Sequence, residues 1–327
     1  MIDEAAARKH IDAAERLAPI IENISAAPTP IHTVGVVGAG LMGGGIAMCC
    51  ANAGLTVVLL DTAEKALARG LGLIDANYAR SVKRGSRTQA SAEKARGLIS
   101  GAVDYAAFAQ CDLVVEAVFE EVEIKKTVFR QLEAACRPGA LLCSNTSGLD
   151  IDEIARATRR PELVMGTHFF SPANIMPLLE NVRGERTAAS TIATCTAWGL
   201  AIGKIPILVG NCRGFVGNRL INQYSAAARA AVLQGSLPWE VDSAMEGMGM
   251  KMGPFRMADM VGLDLGIQAT KKAGVYAPRT DLQHALIEAG RLGQKNGKGY
   301  YDYGAERAAG RQAGERGRGG GVDGGVQ

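Results

Sequence analysis

Thr33-Val34-Gly35-Val36-Val37-Gly38-Ala39-Gly40-Leu41-Met42-Gly43 decides the fold, together with the Ala-rich run to Ala53 and the apolar run Thr56–Leu60 that closes on Asp61. Val34, Val36 and Val37 give a short β-branched run that predicts a buried parallel strand. The glycine turn follows at once, then a helix over 44–53, then a second strand ending in an acid. This is the order of a dinucleotide-binding βαβ unit. Gly38 permits the tight turn, Gly40 lets the backbone approach a pyrophosphate, and Gly43 lets helix and strand pack closely. The helix N-terminus offers free N–H groups and positive dipole to phosphates. Gly38, Gly40, Met42 and Gly43 are therefore expected to bind the cofactor. Asp61 is placed to accept hydrogen bonds from the adenosine ribose, and its charge repels a 2′-phosphate, so NAD is expected over NADP.

Outward from this unit, strand and helix alternate from Ile31 to Asn211. Strands are expected at 111–118, 140–144, 163–169, 178–182 and 204–209. Helices are expected at 63–84, 121–136, 150–158 and 187–202, with a polar connection around 87–94. This predicts an α/β fold with a doubly wound, mostly parallel Rossmann-type sheet over 31–211. From 212 to 303 the pattern becomes helical only (215–234, 238–246, 256–271, 280–292), a smaller all-helical domain for substrate binding and dimerisation. Residues 1–30 read as an amphipathic linker helix ending in Pro28-Thr29-Pro30. Residues 304–327, with nine glycines, cannot bury a core and are expected to be disordered.

The 327 residues carry a net charge of +3 and 21% charged residues, which points to no nucleic-acid surface. No apolar run reaches the length of a membrane span, so no membrane insertion is expected. The seven cysteines form no CxxC and sit mostly in apolar patterns, as reduced core thiols of an intracellular protein do. Four scattered histidines without ligand spacing predict no metal site.

Ligands of open α/β sheets bind beyond the carboxyl ends of the strands. Glu116–Glu120, Ser144–Ser147 and His168 fall there. Oxidising an alcohol by hydride transfer needs a base for the hydroxyl proton, and histidine suits that task. His168 ends an apolar strand in Gly-Thr-His-Phe-Phe-Ser-Pro (166–172). Glu180 lies in an apolar run and needs a partner; pairing with His168 would fix the imidazole tautomer. Asn218, in Gly-Phe-Val-Gly-Asn-Arg (214–219), reads on its own as a cap or surface amide.

With these motifs the chain resembles the L-3-hydroxyacyl-CoA dehydrogenases of fatty-acid β-oxidation. The resemblance covers residues 31–303 and is carried by GAGLMGGGIA (38–47), VVEAVFE (114–120), SNTS (144–147), GTHFFSP (166–172), GFVGNR (214–219), KMGPF (251–255) and GQKNGKGY (293–300). It is nearest the dehydrogenase region of multifunctional, peroxisomal bifunctional-type enzymes. The resemblance implies NAD-dependent oxidation of (S)-3-hydroxyacyl-CoA, with His168 as base and Glu180 as its orienting partner. Ser147 and Asn218 would hold the substrate 3-oxygen, with Ser147 also near the nicotinamide. Glu120 and Lys125 would line the cofactor site, Lys295 would close it from the second domain, and Asn77 and Arg84 would meet the CoA. Many relatives carry Asn where this chain has Ser171, which leaves a cofactor contact there in question. A homodimer through the helical domain is expected, and the chain is either a stand-alone cytoplasmic enzyme or part of a larger, peroxisomal one. The alternatives are a dehydrogenase of 3-hydroxybutyryl-CoA or a small hydroxy acid, and a non-catalytic, crystallin-like NAD binder. The complete set of His168, Glu180, Ser147 and Asn218 argues against the last.

Overall fold

The structure is a computed structural model that describes residues 4–21, 24–264 and 282–304. The chain divides into two compact units, Met1–Leu220 and Ile221–Gln327. The first is built on one eight-stranded sheet, β1 (Thr33–Val37), β2 (Thr56–Leu60), β3 (Ile99–Ala102), β4 (Leu113–Glu116), β5 (Leu141–Ser144), β6 (Val164–Phe169), β7 (Leu178–Arg183) and β8 (Ile205–Gly210). The spatial order is β3-β2-β1-β4-β5-β6-β7-β8, with β1 between β2 and β4 as the βαβ reading requires. Every neighbouring pair runs parallel except β6 with β7, which are antiparallel.

Helices α1 (Glu4–Leu17), α2 (Leu41–Asn52), α3 (Glu64–Lys83), α4 (Gln89–Gly97), α5 (Val122–Ala135), α6 (Ile151–Ala155) and α7 (Ala189–Ala201) complete this unit. The sheet splits its core into two layers. Val34, Val36, Leu59 and Val115 pack with α2 on one side; Val37, Val114 and Leu142 pack with Phe129 and Leu132 of α5 on the other. Alternate residues of each strand therefore face opposite layers, which is why the strands are apolar throughout. Where a polar connection is expected at 87–94, the structure has α4, capped by Thr88, whose side chain accepts from Ser91 N at 3.2 Å, and then the edge strand β3. An Ala- and charge-rich surface helix carries little apolar periodicity to announce it.

Helix α8 (Gly217–Leu233) starts in the first unit and continues into the second. The second unit contains α9 (Pro238–Gly247), α10 (Pro254–Val261) and a short helix at Leu282–Glu288. The helix expected over 256–271 ends at Val261, because Gly262 takes φ 103°. Two buried aspartates organise what is described here. Asp242 accepts from the N–H groups of Phe255 (2.9 Å) and Arg256 (3.0 Å), capping α10, and from the Tyr301 hydroxyl (2.6 Å). Asp259 accepts from Tyr300 N (2.8 Å), Tyr301 N (3.0 Å) and the Tyr303 hydroxyl (2.9 Å). A Cβ on Gly253 would meet Asp242 at 2.4 Å, and one on Gly299 would meet Asp259 at 1.9 Å. The 251–255 and 293–300 motifs are in this sense the unit's scaffold. No described helix is long and apolar enough to cross a membrane. The expectation for residues 305–327 lies outside the described residues.

Candidate active site

At the end of β1 the chain turns through Gly38, at φ 98°. A Cβ on Gly43 would fall 1.8 Å from Gly38 O, so only glycine lets α2 start this close to β1. A Cβ on Gly40 would meet nothing within 4 Å, and the first turn of α2 receives no side-chain cap. Uncapped amides facing open space suit an anionic group. Asp61 follows β2 directly and accepts from Ala39 N of this turn at 3.1 Å. Acid and glycine turn are thus joined, and these residues fit the pyrophosphate and ribose of NAD.

A second cluster forms beyond β4 and β5. Glu120 Oε1 accepts from the Thr146 hydroxyl (2.7 Å), Ser147 N (2.6 Å) and the Ser147 hydroxyl (2.9 Å). Burial alone would raise the Glu120 carboxyl, but Lys125, Thr146 and Ser147 hold it below the ordinary value. Asn218 Nδ2 donates to Ser147 O at 3.0 Å, which brings the start of α8 to the same loop. Lys125, expected to line the cofactor site, is instead fully buried: its ammonium lies 2.7 Å from Glu116 and 3.4 Å from Glu120. Glu116 also accepts from the Ser144 hydroxyl (2.7 Å) and Val118 N (2.8 Å), so both oxygens of the buried carboxylate are hydrogen-bonded.

His168 and Glu180 form the third cluster. They are direct cross-strand partners on β6 and β7, and His168 Nδ1 lies 2.7 Å from Glu180 Oε2. Both are buried. Glu180 Oε1 accepts from Val216 N (2.9 Å) and Gly217 N (2.8 Å) at the start of α8. Burial would push the Glu180 carboxyl up, yet the bonds from His168, Gly217 and Val216 keep it below its ordinary value. A charged carboxylate on Nδ1 leaves Nε2 as the nitrogen that can take a proton. Phe170 and Phe215 set neutral rings 4.4 Å and 5.8 Å from the imidazole, between centroids. Asn145 Oδ1 accepts from Phe169 N at 2.9 Å and ties the β5 loop to β6.

The remaining candidates make other contacts. Asn77, on α3, accepts from Arg80 at 2.5 Å, and Arg84 is exposed at the end of that helix. Lys295 is in the second unit, where it pairs with Asp264. The sequence reading missed Glu116 as the partner of Lys125, Asn145 and Thr146 as loop supports, and the Val216 and Gly217 amides. The first three sit inside quoted motifs, whereas backbone donors leave no signal in residue type. It also missed Lys204, a buried lysine whose ammonium holds Ala173 O (2.5 Å) and Met176 O (2.8 Å) in the turn between β6 and β7.

The glycine cradle and the buried His–Glu pair both lie on the one eight-stranded sheet, the arrangement of a dinucleotide-binding α/β domain. Residues 33–212 match the family model of the 3-hydroxyacyl-CoA dehydrogenase NAD binding domain, and 214–303 match that of the 3-hydroxyacyl-CoA dehydrogenase C-terminal domain. The chain belongs to the 3-hydroxyacyl-CoA dehydrogenase family. It is 42% identical over 298 residues to the peroxisomal bifunctional enzyme of Homo sapiens, covering 85% of this chain and 40% of that protein. It thus spans about 40% of the length of such curated relatives. Among solved structures it is similar to FadB2 of M. tuberculosis (35% identity, TM-score 0.78, covering 84% of this chain and 100% of that one). It is also similar to (S)-3-hydroxybutyryl-CoA dehydrogenase of Ralstonia eutropha (34%, TM-score 0.76, 84% and 99%).

Proposed function

We propose that this chain oxidises (S)-3-hydroxyacyl-CoA to 3-oxoacyl-CoA, with His168 as the general base. The observation that carries the reading is the buried 2.7 Å contact between His168 Nδ1 and Glu180 Oε2. His168 Nε2 takes the hydroxyl proton, and Glu180 fixes the tautomer and stabilises the imidazolium that forms. Ser147 and Asn218 hold the substrate 3-oxygen, while Glu120 fixes the Ser147 loop. NAD on the glycine cradle supplies the hydride acceptor. The test follows NADH formation from (S)-3-hydroxybutyryl-CoA and longer homologues beside a small hydroxy acid. Turnover of the hydroxy acid alone overturns the assignment.

A preference for 3-hydroxybutyryl-CoA is the second reading, supported by the likeness to the Ralstonia eutropha enzyme of that name. For assembly, the reading is a homodimer through 214–300. Trp239, Met248, Met260 and Val261 are each about half exposed on the described part of this region, and methionine suits an adaptable apolar contact. A monomer mass by light scattering at micromolar concentration overturns it. The span of about 40% of relatives named bifunctional or β-oxidation multifunctional supports a place in a larger β-oxidation enzyme, and their peroxisomal names support that compartment.

A further inference from the structure

The segment Cys212–Gly217 has a backbone out of the ordinary. Phe215 adopts φ 47°, the one left-handed non-glycine among the described residues, directly after Gly214 at φ 75°. For a bulky side chain that region is strained, and it persists only where the surroundings impose it. Here they do. Phe215 N donates to Cys212 O at 3.0 Å, and its side chain is fully buried. A Cβ on Gly148 would reach Gly214 N at 2.9 Å, so the 144–148 loop packs closely against the turn. A Cβ on Gly217 would strike the Phe170 ring at 2.6 Å. The product of this turn is two successive N–H groups aimed at one oxygen, Glu180 Oε1, at 2.9 and 2.8 Å. Successive amides of this kind make an anion cradle, here reinforced by the start of a helix. With Oε2 on His168, the carboxylate has no freedom to rotate.

We propose that Phe215 is a positioning residue for the His168–Glu180 pair, its left-handed backbone turning the Val216 and Gly217 amides onto the Glu180 carboxylate. The inference rests on His168 being the base of the reaction. The groups that face Glu180 are His168 from β6, the two amides from α8 and, from β8, the apolar Ile207. Losing the amides therefore weakens the charged carboxylate, and Glu180 takes up its proton at higher pH.

The test titrates the Glu180 carboxyl by carbon NMR of the full chain, assigned as the glutamate resonance lost in Glu180→Gln. Phe215→Ile keeps apolar bulk but disfavours the left-handed backbone. Its Glu180 midpoint is expected to rise by about one pH unit, with a fall in kcat and little change in the KM for NAD. Phe215→Gly permits the backbone without the ring and is expected to keep the wild-type midpoint. A lowered Tm with an unmoved midpoint in Phe215→Ile overturns the proposal, as does a midpoint that rises in Phe215→Gly. Should the isoleucine chain not fold, Phe215→Val, which is β-branched too, takes its place: a raised midpoint supports the proposal and an unchanged one overturns it. The titration needs no substrate, so failure of the wild-type chain to oxidise a 3-hydroxyacyl-CoA overturns the functional reading alone.

Discussion

His168 and Glu180 face each other across the antiparallel pairing of β6 with β7, and the carboxylate joins the imidazole at 2.7 Å while two backbone amides hold its other oxygen. The pair is a single unit, and its variants should behave as one. A positioned general base contributes roughly 10²–10⁴-fold, so His168→Gln is expected to lose kcat on that order and Glu180→Gln a large part of it. The double variant should be scarcely worse than His168→Gln, because residues acting together are non-additive. Losses that multiply in steady-state kinetics would show two independent residues.

Asp61 joins the glycine turn through Ala39 N at 3.1 Å. Asp61→Ala is expected to weaken NAD binding by about 1.5–3 kcal/mol, the worth of a charged hydrogen bond, and to narrow the gap to NADP. Calorimetric titration with both nucleotides checks this; unchanged NAD affinity would remove Asp61 from the ribose site.

Asp242 is fully buried and receives two amides and the Tyr301 hydroxyl. Asp242→Ala leaves those donors facing a cavity, and each buried unsatisfied group costs about 1–3 kcal/mol. Denaturant unfolding should show a loss of at least about 2 kcal/mol, with NAD binding retained. A stability equal to wild type would mean that α10 does not depend on this cap.

The pH dependence of stability follows from Glu120 and Glu180, both held below the ordinary carboxylate value in the folded chain. Such groups stabilise the fold above the unfolded pKa, and the contribution is lost as pH falls through the folded one. Unfolding free energy should be level above about pH 5 and decline below it. Glu180→Gln, with one such group removed, should decline less steeply. Parallel acid profiles would show that Glu180 titrates alike folded and unfolded.

The sequence by itself determined most of the sheet and its cradle. The strand–glycine–helix–strand–acid order is local, and burial on both faces writes each strand as an apolar run. Strands at 34–37, 56–60 and 111–118 could therefore be placed without a structure, the last of them ordered over 113–116. His168 and Glu180 stood out because a histidine at a strand end and a carboxylate in an apolar run both need a reason. Tertiary structure decided what those groups touch. Lys125 turned out to be sealed against Glu116 because β4 and α5 close over it. Helix α4 and strand β3 were not legible, since an exposed helix and a short edge strand leave weak patterns. The cradle under Glu180 could not be read at all. It is made of backbone N–H groups, which every residue but proline carries, aimed by one left-handed turn that only packing enforces.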